Sequence, residues 1–341
     1  MVLPEVFVRY RSEIETELSA VINTHPSLFD VVLRYHLGWI DQSELPRERK
    51  ASGKMVRATL CLVSCRALGG DYRKALPAAA SIELIHNFSL IHDDIEDASD
   101  ERHHRATVWK LWGEAQAINA GDAVYALAHL ALLRLREIGI ALEKLASSLK
   151  ILDEACLRLC EGQYLDIAYE DRIDITIEEY LNMIAKKTAA LMAASTCLGA
   201  SLALETENER ILNSFYSLGK ELGLAYQIRD DILGIWGSEK KTGKPTGGDI
   251  TKRKKTLPVV YGLQQTGEGE DKERLLEVYR KATIEESDIT KVMEILNRVN
   301  AKSYSQTLAE RHYHQALKHI KENKLPAELK EIADFFIERD Y

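Results

Sequence analysis

Two short acidic stretches carry the residues best suited to chemistry. In SIELIHNFSLIHDDIEDASDER, which begins at Ser81, Asp93 and Asp97 stand four apart. On a helix they share one face, about 6 Å apart along the axis. His86, seven residues before Asp93, falls on the same face. Two carboxylates projecting together repel each other unless a cation sits between them. Leu84, Ile85, Phe88, Leu90 and Ile91 come immediately before, which places the acids at the mouth of an apolar segment rather than on a solvated helix end. Oxygen donors in apolar walls suit a hard cation, Mg²⁺ ahead of Zn²⁺. His92, His103 and His104 lack the spacing of tetrahedral zinc motifs.

The second stretch, LAYQIRDDILGIWG, holds Asp230 and Asp231, with Gln227 three residues before them on the same helical face. Cationic side chains accompany both. Arg102 and Arg105 follow the first acids, and SGKMVRATL sets Lys54 and Arg57 three apart, side by side on a helix. AKKTAALMAA puts Lys187 and Thr188 on a small-residue apolar helix, where a lysine needs a partner. Carboxylates, a cation and arginines together describe a site for diphosphate, because Mg²⁺ takes few protein ligands and completes its shell with water and phosphate oxygens. The run Lys252 to Lys255 reads equally as a solvated charge cluster or as a second contact for phosphate.

The elements that position these residues should be helices. No proline occurs between Pro77 and Pro245, and the stretch is rich in Ala, Leu, Glu and Ile without β alternation. Three interruptions read as loops. Ala98 to Ala106 is polar, and Asp171 to Thr176 leads into a capping box formed by Thr176 and Glu179. Gly237 to Lys255 contains Gly237, Gly243, Pro245, Gly247 and Gly248, the composition of a lid that closes over a ligand. No composition shift marks a border, so residues 1–341 are expected to form one all-α domain around a central bundle. A formal charge of −8 argues against a general nucleic-acid binder. No run of about 18 uncharged apolar residues is present to span a membrane, and early charges at the N-terminus do not suit a signal peptide. Five cysteines, an odd number, fit a reducing cytoplasm. Cys61/Cys65 and Cys156/Cys160 lie among apolar residues and are expected to be buried free thiols.

Taken in order, these blocks resemble the trans-type polyprenyl diphosphate synthases, the farnesyl and geranylgeranyl diphosphate synthase family. The resemblance runs from about residue 52 to residue 258. LIHDDIED resembles the first aspartate-rich motif and YQIRDDILG the second; EGQYLDI, KTAAL, GKPTGGD and KKTLP match as well. It implies an all-α isoprenoid-synthase fold with the active site in a cavity between the two aspartate motifs, a homodimer, and Mg²⁺ as cofactor, three ions per active site. It implies that Asp93, Asp97 and Asp230 bind Mg²⁺, and that Arg102, Lys187 and Lys244 contact an allylic diphosphate, with Asp231 and Gln163 farther out. Lys54, Arg57, His86 and His103 would form the isopentenyl diphosphate pocket, Thr188 and Gln227 would face the developing carbocation, and Lys255 would belong to the closing segment.

Three departures bear on activity. The usual arginine pair after the first motif reads Arg102–His103, and the usual Gly-Gly-Lys-Arg-x-Arg-Pro reads Ser52-Gly53-Lys54-Met55-Val56-Arg57-Ala58. The second motif ends in Gly234, not aspartate. The first two touch the isopentenyl pocket and keep open a terpene-synthase-like enzyme acting on one allylic diphosphate. Lys54, Arg57 and His86 are all present, which favours condensation. Product length is expected from Phe88, five residues before Asp93 and about 7.5 Å deeper along the helix. Its ring forms a floor, while the small Ser89 leaves room. By resemblance, that pattern without an insertion in DDIED goes with geranylgeranyl diphosphate, ahead of farnesyl diphosphate.

Overall fold

The computed structural model describes residues 3–43, 53–237 and 246–338. Helices dominate, as the sequence pattern predicts. In chain order they are α1 (Glu5–Thr24), α2 (Asp30–His36), α3 (Val56–Ala67) and α4 (Leu76–Glu96). A two-stranded antiparallel hairpin follows, β1 (Glu101–Arg102) and β2 (Arg105–Ala106). Next come α5 (Val108–Trp112), α6 (Glu114–Leu133), α7 (Leu142–Glu170) and α8 (Ile177–Ile184). A π-helical turn, Ala185–Ala189, joins α8 to α9 (Ala190–Ala203), and α10 covers Glu209–Trp236. The remainder is α11 (Gly248–Thr251), α12 (Leu257–Gln265), α13 (Glu270–Arg280), α14 (Glu286–Arg298), α15 (Ala301–Glu322) and α16 (Ala327–Glu338).

The chain divides into two compact units: Leu3–Cys156 with Ala194–Tyr216, and Leu157–Ala193 with the stretch from Ser217 onward. In the amino-terminal unit, α4 is buried along most of its length. Ala78, Ala79, Ala80, Ile82, Leu84, Ile85 and Ile91 are essentially inaccessible. Pro77 suits the first turn of this helix, where its missing N–H costs nothing. Phe7, Tyr10, Ile14 and Leu18 of α1 are equally buried, and each such large side chain stabilises by roughly 1.5–3 kcal/mol. An apolar stem of this kind holds its carboxylate-bearing end rigidly.

In the carboxy-terminal unit, one apolar cluster gathers Tyr180, Met183, Ile184, Ile228, Ile232, Leu257 and Val260 from α8, α10 and α12. Another gathers Ile235, Ile250, Val259, Leu275, Val292 and Leu296. The capping box at the start of α8 is formed as expected, Thr176 accepting from the Glu179 N–H at 3.1 Å and Glu179 accepting from the Thr176 N–H at 2.8 Å. All five cysteines are free. Cys61, Cys65, Cys156 and Cys197 are buried, but Cys160 is exposed, so spacing among apolar residues misjudged its face of α7. Among the described residues, no helix is long and apolar enough to cross a membrane.

Candidate active site

At the end of α4 the first two aspartates of the motif part company. Asp94 points inward and is 2% exposed, while Asp93 is 20% exposed. Asp97 caps α4, its N–H donating to the Asp93 carbonyl, and remains half-buried. Arg102, delivered by β1, donates through Nε to Asp94 at 2.8 Å and through a terminal nitrogen to Asp93 at 3.1 Å. Burial pushes the Asp94 carboxyl up to about 6, against the opposing pull of Arg102. Asp94 thus anchors Arg102 beside Asp93 and Asp97. Sequence reasoning passed over Asp94; its signal was its phase, one residue round the helix toward the core.

The hairpin carrying Arg102 turns through His103 and His104, both left-handed at φ +51° and +57°, as a two-residue type I′ turn requires. No glycine or asparagine advertises this turn, so the sequence reads only as a polar loop. Trp109 and Thr107 each donate to the Ser99 carbonyl at 2.8 Å and tie the loop to α5. Arg105 serves the frame: it donates to the carbonyls of Tyr35 and Ile40 at 2.8 and 3.0 Å and lies over the Tyr35 ring.

Three of the residues expected in the isopentenyl pocket share a local electrostatic environment. The His86 imidazole is held well below its ordinary pKa, first by burial and then by the charges of Arg57, Arg102, His36 and His103. It is therefore neutral at physiological pH. Lys54 and Arg57, expected side by side on one helix, do not share one: Lys54 precedes Met55, which takes the left-handed conformation at φ +49° as the N-cap of α3, and only Arg57 lies on the helix. That strained turn sets the angle between the two cations. Glu83, 6% exposed on α4, has its carboxyl pushed up by burial and pulled back by Arg57. Phe88 is nearly buried and held on two edges, by His92 at 5.0 Å and by Tyr125 of α6 at 5.4 Å between ring centres. The Ser89 hydroxyl donates to the His86 carbonyl at 2.8 Å.

In the carboxy-terminal unit, Lys187 and Thr188 lie in the π-helical turn, an irregularity frequent at functional positions. Lys187 donates to Asp166 at 2.5 Å, the partner its apolar setting called for. Gly162 lets the backbones approach: a Cβ there would stand 2.2 Å from the Lys187 backbone nitrogen. Thr188 donates to the Gln227 Oε1 at 2.8 Å, and Gln227 donates in turn to Asp231 at 3.0 Å. Asp231, 2% exposed, also accepts from the Tyr180 hydroxyl and from the Leu257 N–H at 3.1 Å. Burial pushes its carboxyl up to about 7, and the negative charge of Asp249 adds to the rise. Asp230 stays half-buried beside it. Lys255 is buried, donating to the Glu170 carbonyl at 3.0 Å with its ammonium over the Tyr279 ring. Lys244, together with Gly243 and Pro245 of the expected lid, lies outside the described residues.

The donor set fits magnesium. Asp93, Asp97 and Asp230 offer only carboxylate oxygens. Among the described residues no three His, Cys, Asp or Glu converge to hold a metal by themselves; a cation at either group of carboxylates would complete its shell with water and phosphate oxygens, the habit of Mg²⁺.

A family model described as polyprenyl synthetase matches residues 46–296. The chain belongs to the polyprenyl synthetase family. This polyprenyl synthetase is 38% identical over 314 residues to the (2E,6E)-farnesyl diphosphate synthase of Mycobacterium tuberculosis, spanning 90% of this chain and 85% of that one. It is 33% identical to the geranylgeranyl diphosphate synthase of Sulfolobus acidocaldarius, spanning 98% of each. A solved polyprenyl synthetase from Streptomyces coelicolor A3(2) has the same fold, with a TM-score of 0.88 at 34% identity over 98% of this chain and 99% of that one. The chain is therefore a trans-prenyl diphosphate synthase of the all-α isoprenoid-synthase fold.

Proposed function

We propose that this synthase condenses isopentenyl diphosphate head-to-tail (1′–4) with an allylic diphosphate in a Mg²⁺-dependent reaction and releases geranylgeranyl diphosphate. The observation that carries the product assignment is Phe88, nearly buried and held edge-on by His92 and Tyr125. A ring fixed on two sides does not swing away from an advancing prenyl tail, and Ser89 beside it leaves width for the chain. Farnesyl diphosphate is the second reading, favoured by the name of the mycobacterial relative.

Asp93, Asp97 and Asp230 are assigned as magnesium ligands, with Arg102, Lys187 and Lys244 binding the allylic diphosphate. Bound magnesium would neutralise the charge that develops as pyrophosphate leaves. Asp94 and Asp166 hold Arg102 and Lys187 ready for that diphosphate. The Thr188 hydroxyl proton is donated to Gln227, which leaves the hydroxyl lone pairs available to the allylic cation. Lys54, Arg57, neutral His86 and His103 bind isopentenyl diphosphate, and Lys255 steadies the closing segment. The released pyrophosphate accepts the proton lost after the alkene attacks.

The catalytic unit is one polyprenyl synthase domain in a cytoplasmic homodimer. Ile118 and Tyr125, seven apart on α6 and 47% and 37% exposed, support the dimer, and the five free cysteines suit the compartment. Incubating the purified protein with labelled isopentenyl diphosphate, each allylic primer and Mg²⁺, then sizing the dephosphorylated alcohols, tests the reading. A twenty-carbon product supports it; consumption of an allylic diphosphate without isopentenyl diphosphate overturns it.

A further inference from the structure

The run Lys252 to Lys255, which the sequence leaves between a solvated cluster and a phosphate contact, is divided in the structure. Lys252 and Arg253 are exposed, while Lys255 is buried. Two of these cations reach the carboxy-terminal ends of helices, where the dipole is negative. Lys255 donates to the carbonyl of Glu170, the last residue of α7, at 3.0 Å. Arg253, left-handed at φ +54°, donates to the carbonyl of Lys281, the C-cap of α13, at 3.1 Å. The Lys255 ammonium also lies over the ring of Tyr279, in the last turn of α13, 4.9 Å from its centre.

Tyr279 is buried and belongs to the apolar cluster with Ile250, Val259 and Leu275. Its hydroxyl has no hydrogen-bond partner among the described residues, so packing, not a bond to the phenol oxygen, holds the ring in place. Among the described residues no carboxylate forms an ion pair with Lys255. Burial, and then the charge of Arg253, lower its pKa from the ordinary lysine value, while the charges of Glu170 and Asp171 oppose them. A carbonyl dipole and a ring face offset part of the cost of burying an ammonium, and neither cancels its charge. A carboxylate would cancel it, and an incoming diphosphate would then have to displace that partner.

We propose that Tyr279 is a positioning residue for Lys255, its ring face seating the ammonium so that the charge is held in place and left uncancelled for a diphosphate. Arg253 fastens the same turn of chain to the end of the helix that carries Tyr279. Helix α13 lies beyond the last of the sequence motifs, so the role falls on a part of the chain that the motifs leave unassigned. It rests on the functional reading given above, in which Lys255 belongs to the segment that closes over diphosphate.

Binding of inorganic pyrophosphate to the full chain in the presence of Mg²⁺, measured by calorimetry, tests this without turnover. Lys255→Met is expected to weaken binding by about tenfold or more, the contribution of a hydrogen bond from a charged donor. Tyr279→Leu should weaken it by about fivefold, within the range of a partly desolvated cation–π contact. Tyr279→Phe keeps the ring and should bind within about twofold of wild type. In the Lys255→Met background, Tyr279→Leu should change affinity by less than about twofold, because the tyrosine acts only through the lysine. Should Tyr279→Leu not fold, Tyr279→Met, flexible enough to fill the same volume, takes its place. Wild-type affinity in Tyr279→Leu, an equal loss in both backgrounds, or Tyr279→Phe as weak as Tyr279→Leu overturns the positioning role. Unchanged binding in Lys255→Met, or no pyrophosphate binding in the wild type, overturns the functional reading itself, and the role of Tyr279 with it.

Discussion

Each aspartate motif opens with two adjacent carboxylates, and each divides them in the same way but secures the buried one differently. In the amino-terminal unit Asp94 is buried and paired with a guanidinium, while Asp93 remains partly accessible. In the carboxy-terminal unit Asp231 is buried among neutral donors, the Tyr180 hydroxyl, the Gln227 amide and the Leu257 N–H, while Asp230 remains partly accessible. An adjacent acid pair on a helix thus gives one accessible carboxylate, the proposed ligand, and one buried anchor, because neighbouring residues point about 100° apart. The anchor's partner decides the consequence. A cationic partner places positive charge beside the ligand, as a diphosphate needs. A neutral network fixes the direction of Gln227 and Thr188 and ties Leu257 of the closing segment to the same carboxylate.

The largest effect should come from removing ligands. Asp93→Ala, Asp97→Ala and Asp230→Ala are each expected to lower kcat at least about a hundredfold at saturating substrate, since each takes away a proposed magnesium ligand. Steady-state rates with labelled isopentenyl diphosphate check this. Near-wild-type turnover in Asp93→Ala at saturating Mg²⁺ would break the distinction between ligand and anchor.

Removing an anchor's partner should act on stability as well as on diphosphate binding. Arg102→Met leaves Asp94 buried beside an apolar side chain, which costs about 1–3 kcal/mol and deepens as pH rises. The sign follows from the Asp94 pKa, already raised to about 6 with Arg102 present and higher without it. Above the unfolded value near 4, the folded variant keeps a proton that the unfolded chain has lost, so stability falls with increasing pH through that window. Melting temperatures at pH 5 and pH 8 check it. A deficit of equal size at both values contradicts the charge pairing.

Product length comes next. Phe88→Ala should lengthen the major product by at least one isoprene unit, and Ser89→Phe should shorten it, as chromatography of the alcohols would show. An unchanged distribution in both variants would move the floor to Tyr125 and its neighbours on α6.

The smallest effect belongs to His103, at the hairpin turn where the motif pattern the sequence resembles has arginine. KM for isopentenyl diphosphate should rise a few-fold from about pH 6 to pH 8 as an imidazole with a reference pKa near 6.5 loses its charge. His103→Arg should flatten that dependence. Identical pH profiles in the two proteins would remove His103 from the pocket.

Much of this was legible in the residues, because helices state their faces in sequence. Spacing placed His86 and Asp93 on one helix, and the Thr176–Glu179 capping box gave the start of α8, but Lys54, expected beside Arg57 on a helix, precedes it. What stayed hidden depends on chain segments meeting through space. The clasp of Arg102 on Asp94 needs a hairpin whose His103–His104 turn lacks the usual glycine or asparagine. The Lys187–Asp166 and Tyr180–Asp231 contacts join residues 21 and 51 apart. Cys160 shows the opposite failure, since apolar neighbours in sequence did not predict which side of α7 meets solvent.

The separation of ligand from anchor is tested most directly by titrating Mg²⁺ in one condensation assay with four isosteric variants, Asp93→Asn, Asp94→Asn, Asp230→Asn and Asp231→Asn. Asp93→Asn and Asp230→Asn should raise the Mg²⁺ concentration for half-maximal turnover by about tenfold or more. Asp94→Asn and Asp231→Asn, whose carboxylates bond protein groups, should shift it far less, whatever they do to kcat or melting temperature. A shift in Asp94→Asn or Asp231→Asn as large as that in Asp93→Asn would contradict the assignment.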